Sequence, residues 1–273
     1  MSAAPEAPPI VGRLYEREAL LACLEAGRHV LLEGPVGVGK TVLARSVADV
    51  LGRGMVRVDG DGRYTESRLV GSFDPPAVLA RGYQPENFLA GPLMRAMQEG
   101  AVLFLNELNR MPEGVQNVLL PALDEGRLQV PQLGEVRAKA GFAVIATQNP
   151  AEFVATGALS EALQDRFELV RLGYQSEEEE CEILRQECRR NPGSALIQSA
   201  VALVRATRQD PRLRRGASVR AAIAIADIAV GLGGDLGRAA ALALPTRVEA
   251  LEPGQLPQVI DELKKKLSGA SAS

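Results

Sequence analysis

Apolar positions along this chain follow two alternating periods. Short unbroken runs, His29 to Leu32, Ala101 to Leu105 and Phe142 to Thr147, have the form of strands covered on both faces of a sheet. Met55 to Asp59 and Glu168 to Leu172 read as two more strands. Between the strands, apolar residues return every three or four positions. Leu20, Leu21 and Leu24 precede the first strand, and Val42, Leu43, Val47, Val50 and Leu51 follow it. Leu93, Met94 and Met97 lie between Gly91-Pro92 and Gly100, and Val115, Val118, Leu119 and Leu123 come after Pro112. Leu159 to Phe167 is expected to be a short helix. Strands alternating with helices in this way predict a three-layer α/β domain with a five-stranded parallel sheet. Leu128 to Val130 and Glu135 to Arg137, around Pro131 and Gly134, add a β-hairpin.

Two stretches break the pattern. Asp61 to Gly91 keeps no period and is punctuated by Pro75-Pro76, Gly82 and Pro85, so a long irregular segment is expected, either a functional loop or a plain surface insertion. Past Gly173 and Tyr174, read as a hinge, the strands stop. Ser176 caps a helix opening on Glu177 to Glu180, where acidic side chains suit the positive end of the helix dipole. Ser194 to Gln209, Ser218 to Val230, Asp235 to Leu244 and Leu256 to Leu267 follow as further helices. The expected organisation is an α/β domain over 1–173, a small all-α domain over 174–268 and a disordered tail over 269–273.

At 273 residues the chain has room for these two domains. A net charge of −3 offers no electrostatic reason to expect a nucleic-acid partner. Three cysteines at spacings that match no zinc pattern, with a single histidine, fit a reducing, cytoplasmic compartment. The most apolar segment, Ala221 to Leu232, contains Asp227 and is too short to span a bilayer. The opening MSAAPEAPPI has neither a basic nor an apolar signal region and is expected to be a flexible lead-in.

The chemistry is concentrated after the first strand. Gly34-Pro35-Val36-Gly37-Val38-Gly39-Lys40-Thr41 lies between that strand and a helix, the context a phosphate-binding loop requires. Its glycines let backbone N–H groups turn inward toward phosphate oxygens, and the helix adds its positive N-terminal end. Lys40 supplies a charge for the β- and γ-phosphates and Thr41 a hydroxyl for Mg²⁺. The chain is therefore expected to bind a nucleoside triphosphate. Val11-Gly12-Arg13, ahead of the first helix, occupies the place that packs beside the adenine in many such ATPases, although the residues themselves indicate only the helix.

The Ala101 to Leu105 strand ends in Asn106-Glu107, at the sheet edge where α/β folds place their ligands. Glu107 is suited to activating a water for attack on the γ-phosphate. Asn106 stands where Asp is usual; it can hold a metal-bound water but adds no charge, so weaker Mg²⁺ support is expected, and Asn106→Asp is expected to tighten Mg²⁺. Asn149 either holds the attacking water or belongs to an ordinary Asn-Pro turn. Arg110 either serves as a helix-entry charge or reaches an adjacent nucleotide.

In this order the motifs resemble those of AAA+ ATPases. GPVGVGKT is similar to their Walker A segment, FLNELNR to Walker B, ATQNP to sensor 1, LSEALQDRF to the segment carrying an arginine finger, and GASVRA, Gly216 to Ala221, to sensor 2. Over nearly the whole chain the resemblance is to the MoxR-like family, in the helix-2-insert clade. It implies that Arg166 is a finger acting on a neighbouring subunit and that Arg220 is a lid arginine for the γ-phosphate. Asp61 to Ala90 would be the helix-2 insert and Leu128 to Ala138 the pre-sensor hairpin. The family implies ATP and Mg²⁺, slow hydrolysis, a homo-oligomeric ring, usually hexameric, and chaperone-like remodelling or activation of a protein client. It often works with a von Willebrand factor A domain protein, and the NELNR variant looks familiar among relatives that accompany metalloenzyme maturation. The alternatives are the motor subunit of a metal chelatase and a slowly hydrolysing nucleotide-gated scaffold, which Asn106 favours.

Overall fold

The computed structural model describes residues 10–149, 159–252 and 254–270. The expected flexible lead-in falls mostly outside these residues, as do Pro150 and the end of the tail. By their contacts the residues fall into two compact units, Arg13–Pro35 with Gly39–Gly173, and Met1–Gly12 and Val36–Val38 with Tyr174–Ser273.

In the larger unit, α1 (Leu14–Glu25) buries Leu20 and Leu24. It leads into β1 (His29–Glu33), then α2 (Lys40–Val50) and β2 (Met55–Asp59). Next come α3 (Glu66–Val70), β3 (Gly71–Phe73), α4 (Pro75–Arg81), β4 (Phe88–Ala90) and α5 (Pro92–Glu99). β5 (Val102–Asn106), α6 (Glu113–Asn117), α7 (Leu120–Glu125), β6 (Arg127–Val130) and β7 (Gly134–Arg137) follow. β8 (Ala143–Gln148), α8 (Glu161–Gln164) and β9 (Phe167–Arg171) complete the unit.

The main sheet has the order β2-β5-β8-β1-β9, with every neighbouring pair parallel. This is the five-stranded parallel sheet the alternation predicts. β5 and β8 lie inside it, which is why their sequences are continuous apolar runs with Leu103, Phe104, Leu105, Val144 and Ile145 fully buried. Because all five strands run the same way, their C-terminal ends share one edge. Arg13 donates from Nη2 to the carbonyl of Gly173 at 2.6 Å, tying the start of this unit to its last residue.

Several expectations needed correction. Asp61 to Gly91 is not structureless. Thr65 caps α3 by accepting from the Arg68 N–H, and β3 pairs antiparallel with β4 around α4. Phe73 packs edge-on against both Phe88 and Tyr83 at 5.0 Å, while Leu79 is 90% exposed. Elements of three to seven residues are too short to display a period. The helix expected from Val115 through Leu123 is two helices, α6 and α7, with Pro121 in the first turn of the second. Proline lacks the N–H that would continue the first helix across the break. Leu159 to Phe167 shrinks to the four residues of α8, since Phe167 already pairs with His29 as the first residue of β9.

In the smaller unit, α9 (Glu177–Glu187) begins with a capping box in which the Ser176 hydroxyl accepts from the Glu179 N–H and the Glu179 carboxylate accepts from the Ser176 N–H. α10 (Ser194–Gln209), β10 (Leu213–Arg215), α11 (Val219–Gly231), α12 (Leu236–Ala243), β11 (Glu249–Ala250) and α13 (Leu256–Ala270) follow. Buried alanines on α11 and α12, among them Ala222, Ala226, Ala229, Ala239 and Ala240, let the helices approach closely around Ile197, Val201, Val204 and Ile225. The helices stand where expected. The unit also holds a short antiparallel ribbon, β10 with β11, which the helical periodicity did not register. α13 runs to Ala270, into the tail expected to be disordered. Tyr174, read as a hinge, has the Arg208 guanidinium 3.9 Å from its ring centre. Arg208 in turn pairs with the buried carboxylate of Glu180 at 2.7 Å.

Candidate active site

Beyond β1 the chain turns tightly. At Gly34 a Cβ would lie 2.2 Å from the carbonyl oxygen of Leu172, so only glycine lets the loop pass that strand exit. Gly39 takes φ of 93° and caps α2 in the left-handed conformation. The Lys40 ammonium donates to the carbonyls of Gly34 at 2.6 Å and Pro35 at 3.0 Å, which holds its charge inside the turn. Thr41 follows, half-buried, in the first turn of α2. The N-terminus of a helix presents backbone N–H groups outward, and its dipole adds partial positive charge at the same point. Cation, backbone donors and helix end together suit a polyphosphate.

Val36–Val38 belong by their contacts to the smaller unit. A Cβ on Gly37 would lie 2.5 Å from Ser218 Oγ and 3.9 Å from Arg220 Cδ, so Arg220, in the first turn of α11, borders Gly37. Val11 and Gly12 also belong to that unit. The Val11 carbonyl accepts from Gln175 Nε2 at 2.6 Å, and Gly12 runs flush against the Glu179 carboxylate.

Four polar side chains occupy the C-terminal ends of β2, β5 and β8. Asn106 closes β5 in register with Asp59 on β2, and its Nδ2 donates to Asp59 Oδ1 at 2.8 Å. Its Oδ1 accepts from the Thr147 hydroxyl of β8 at 3.0 Å. The same hydroxyl oxygen accepts from the Glu107 N–H at 2.9 Å. Glu107 has φ of 56° and ψ of 51°, a left-handed conformation that costs a non-glycine residue about 1–2 kcal/mol. Arg110 donates from Nη1 to Glu107 Oε2 at 2.7 Å, so this arginine engages its own chain's candidate base. Arg57 beside Asp59, with a smaller contribution from Asn106, holds the Asp59 carboxyl below the usual carboxylate range against an opposing effect of burial. Asn149, one residue past β8, is buried. Further along the same edge, Gln148 Nε2 donates to Glu33 Oε2 at 2.7 Å and Arg171 Nε to Glu33 Oε1 at 3.2 Å.

The fold thus gathers Lys40, Thr41, Asn106, Glu107 and Asn149 at the C-terminal edge of one sheet. Arg166 is elsewhere: it precedes β9, at the edge where the strands begin, one strand length, about 16 Å along the strand direction, below the C-terminal edge. Its guanidinium is held by Asp124 at 2.8 Å and by the Ala162 carbonyl. Asp59 and Thr147 are the participants that sequence reasoning passed over. The available signal was a polar residue terminating each apolar run at equivalent ends of neighbouring strands.

A sequence profile of the AAA domain, dynein-related subfamily, matches residues 29–167. The gas vesicle ATPase GvpN of Haloferax mediterranei is 34% identical over 178 residues, covering 59% of this chain. That match spans about half, 51%, of the GvpN chain. The Bacillus subtilis protein YeaC is 32% identical over 235 residues, covering 75% of this chain and 69% of its own. Among solved structures, a RuvB mutant from Thermotoga maritima superposes with a TM-score of 0.56 at 18% identity, covering 85% of this chain and 70% of that one; a likeness at that identity speaks to the fold alone.

Proposed function

Since the chain belongs to the AAA family of ATPases, in its dynein-related subfamily, as the MoxR-like resemblance of its motifs leads one to expect, we propose that it binds and slowly hydrolyses ATP to remodel or activate a protein partner. The observation that carries this reading is the placement of the Lys40 loop and of Glu107, at strand ends on one edge of one sheet. Backbone N–H groups of Gly37 to Thr41 and the Lys40 ammonium receive the phosphates. The Glu107 carboxylate takes a proton from the attacking water, and Asn149 orients that water. Mg²⁺ fits the donors present, since Thr41 offers a hydroxyl oxygen and Asn106 a carbonyl oxygen able to hold a metal-bound water, both hard ligands. When bound, the cation offsets charge on the β- and γ-phosphates. Val11 and Gly12 border the base, and Arg220 acts on the γ-phosphate.

Arg166, at the far edge of the sheet, serves a neighbouring subunit, so the working form is a homo-oligomer, a ring of six on the family's usual pattern, and its compartment is the cytoplasm. The client is a protein, engaged with the help of a von Willebrand factor A domain protein, and the work belongs to metalloenzyme maturation. The net charge of −3 disfavours nucleic acid. Among the described residues no helix is long and apolar enough to cross a membrane. The segment carrying β3, α4 and β4 is the client-facing part: Leu79, Tyr83 and Leu89 are exposed there, beside a 930 Å³ groove lined by Phe73, Phe88, Leu128 and Val130. A chelatase motor, the runner-up, would differ in its partner, a chelatase large subunit.

The test is ATP turnover with nucleotide binding measured in parallel. Lys40→Ala should lose binding. Glu107→Gln should keep binding and lose roughly 10²–10⁴-fold in kcat, the usual contribution of a positioned general base. Glu107→Gln turning over ATP at the wild-type rate would overturn the assignment.

A further inference from the structure

Three neighbouring strands place Asp59, Asn106 and Thr147 at one level of the sheet edge, and the hydrogen bonds among them have a fixed direction. An ionised carboxylate only accepts. Asn106 must therefore present its NH₂ to Asp59, as the 2.8 Å contact from Nδ2 records. That leaves Oδ1 facing Thr147, whose hydroxyl proton is committed to it at 3.0 Å. With its proton so used, the Thr147 oxygen is free to accept from the Glu107 N–H at 2.9 Å. Thr147 is fully buried, so no solvent competes for the hydroxyl. Gly60, directly after Asp59, also donates its N–H to the Asn106 carbonyl at 2.7 Å, which locks the two strand ends together.

We propose that Asp59 and Thr147 are positioning residues of the ATPase site: Asp59 sets the orientation of Asn106, and through it the Thr147 hydroxyl holds Glu107 in its left-handed conformation. This inference rests on Glu107 being the base. It gives a reason for asparagine at position 106, where a lone Asp would be usual. The carboxylate stands one strand further out, at Asp59, and the amide converts it into a directed chain of donors and acceptors. Aspartate at 106 would face the Asp59 carboxylate at hydrogen-bonding distance with no proton between them, and the order of the chain would be lost. Magnesium affinity and turnover then part company in Asn106→Asp, because the added charge suits a cation while the placement of Glu107 suffers.

The experiment exchanges the charge. Full-length wild type, Asn106→Asp, Asp59→Asn and the double variant Asp59→Asn/Asn106→Asp are compared in kcat, in Kd for a fluorescent ATP analogue and in melting temperature without nucleotide. Asn106→Asp should lose roughly tenfold or more in kcat and melt lower, while the double variant, in which the amide on β2 donates to the carboxylate on β5, should return to within about threefold of wild type. Thr147→Val should lose kcat by a similar factor of about ten with nucleotide Kd unchanged, and Thr147→Ser should restore it. The proposal fails if Asn106→Asp turns over at least as fast as wild type, if the double variant is no better than Asn106→Asp in rate and melting temperature, or if Thr147→Val is as active as wild type. Should Asn106→Asp not fold, Asp59→Ala, which removes the acceptor that orients Asn106, reads the same link through a lower kcat at unchanged Kd. Glu107→Gln run alongside separates the two ideas. Full activity there sinks the base assignment and this proposal with it, whereas a dead Glu107→Gln with an active Asn106→Asp sinks the directed chain alone.

Discussion

Gly39→Ala perturbs the phosphate loop at a single torsion. Nothing lies within 4 Å of where the new Cβ would stand, so the substitution introduces no collision, and its whole effect comes from φ of 93° at the N-cap of α2. An L-residue held left-handed costs about 1–2 kcal/mol. That cost can emerge in two places. If the loop keeps its shape, folding is weakened; if the loop relaxes, ATP has to restore the shape and binding is weakened. Around the thermodynamic cycle the two losses sum to the same 1–2 kcal/mol or so, equivalent to about 5–30-fold in an equilibrium constant. The assay is a Kd titration with a fluorescent ATP analogue and Mg²⁺, paired with urea unfolding at saturating ATP, where the full loss should appear however it is divided. Gly34→Ala is the control with a different cause. Its Cβ would stand 2.2 Å from a backbone oxygen, at Leu172, and no side-chain rotation relieves that, so the strand exits must separate and folding should suffer far more. Wild-type behaviour of Gly39→Ala in both measurements, or a milder effect in Gly34→Ala, would refute the reasoning.

Stability should also fall in mild acid through His29. Its Nδ1 accepts the Val144 N–H at 3.0 Å and its Nε2 faces the Leu123 carbonyl at 3.2 Å, so the buried ring is held neutral, and burial pushes its pKa below the usual 6.5. Above that value neither folded nor unfolded chain takes the proton; as pH falls from about 6.5 toward the lower folded value, only the unfolded chain does, and stability drops. Urea midpoints between pH 8 and 5 should therefore decline more steeply in wild type than in His29→Gln, and equal slopes would count against it. Arg166→Ala should keep ATP binding and lose some 10³–10⁵-fold in turnover, with wild-type activity per subunit rising with protein concentration; full activity in a monomeric preparation would exclude a shared site. Replacing Asp74 to Gln84 by a short Gly/Ser linker should preserve ATPase activity and uncouple it from partner activation, and a variant that still activates its partner fully would remove the segment from that role.

Much of the site was legible in the chain because its parts are consecutive. The phosphate loop is a run of eight residues between a strand and a helix, and the glycines required by its torsions and close approaches are written next to Lys40. Glu107 could be found from its position at the end of an apolar run. The segment between Asp61 and Gly91 was not legible, because its order comes from a three-residue pairing of β3 with β4 and from ring packing between Phe73, Tyr83 and Phe88, which leave no repeat in so few residues. The break between α6 and α7 was marked by Pro121 and is explained by its missing N–H.

The alternation of strands and helices, the phosphate loop and the strand end that bears Glu107 can be read along the chain, since each depends on residues a few positions apart whose torsions and periods are local. Which strands are neighbours emerges only when the chain folds. With β8 placed between β5 and β1, Asn106 meets Thr147 at a separation of 41 residues and Asp59 at 47. Those partnerships are set by the register of parallel strands, and that register depends on how the whole sheet buries its two apolar faces, a quantity no single segment carries.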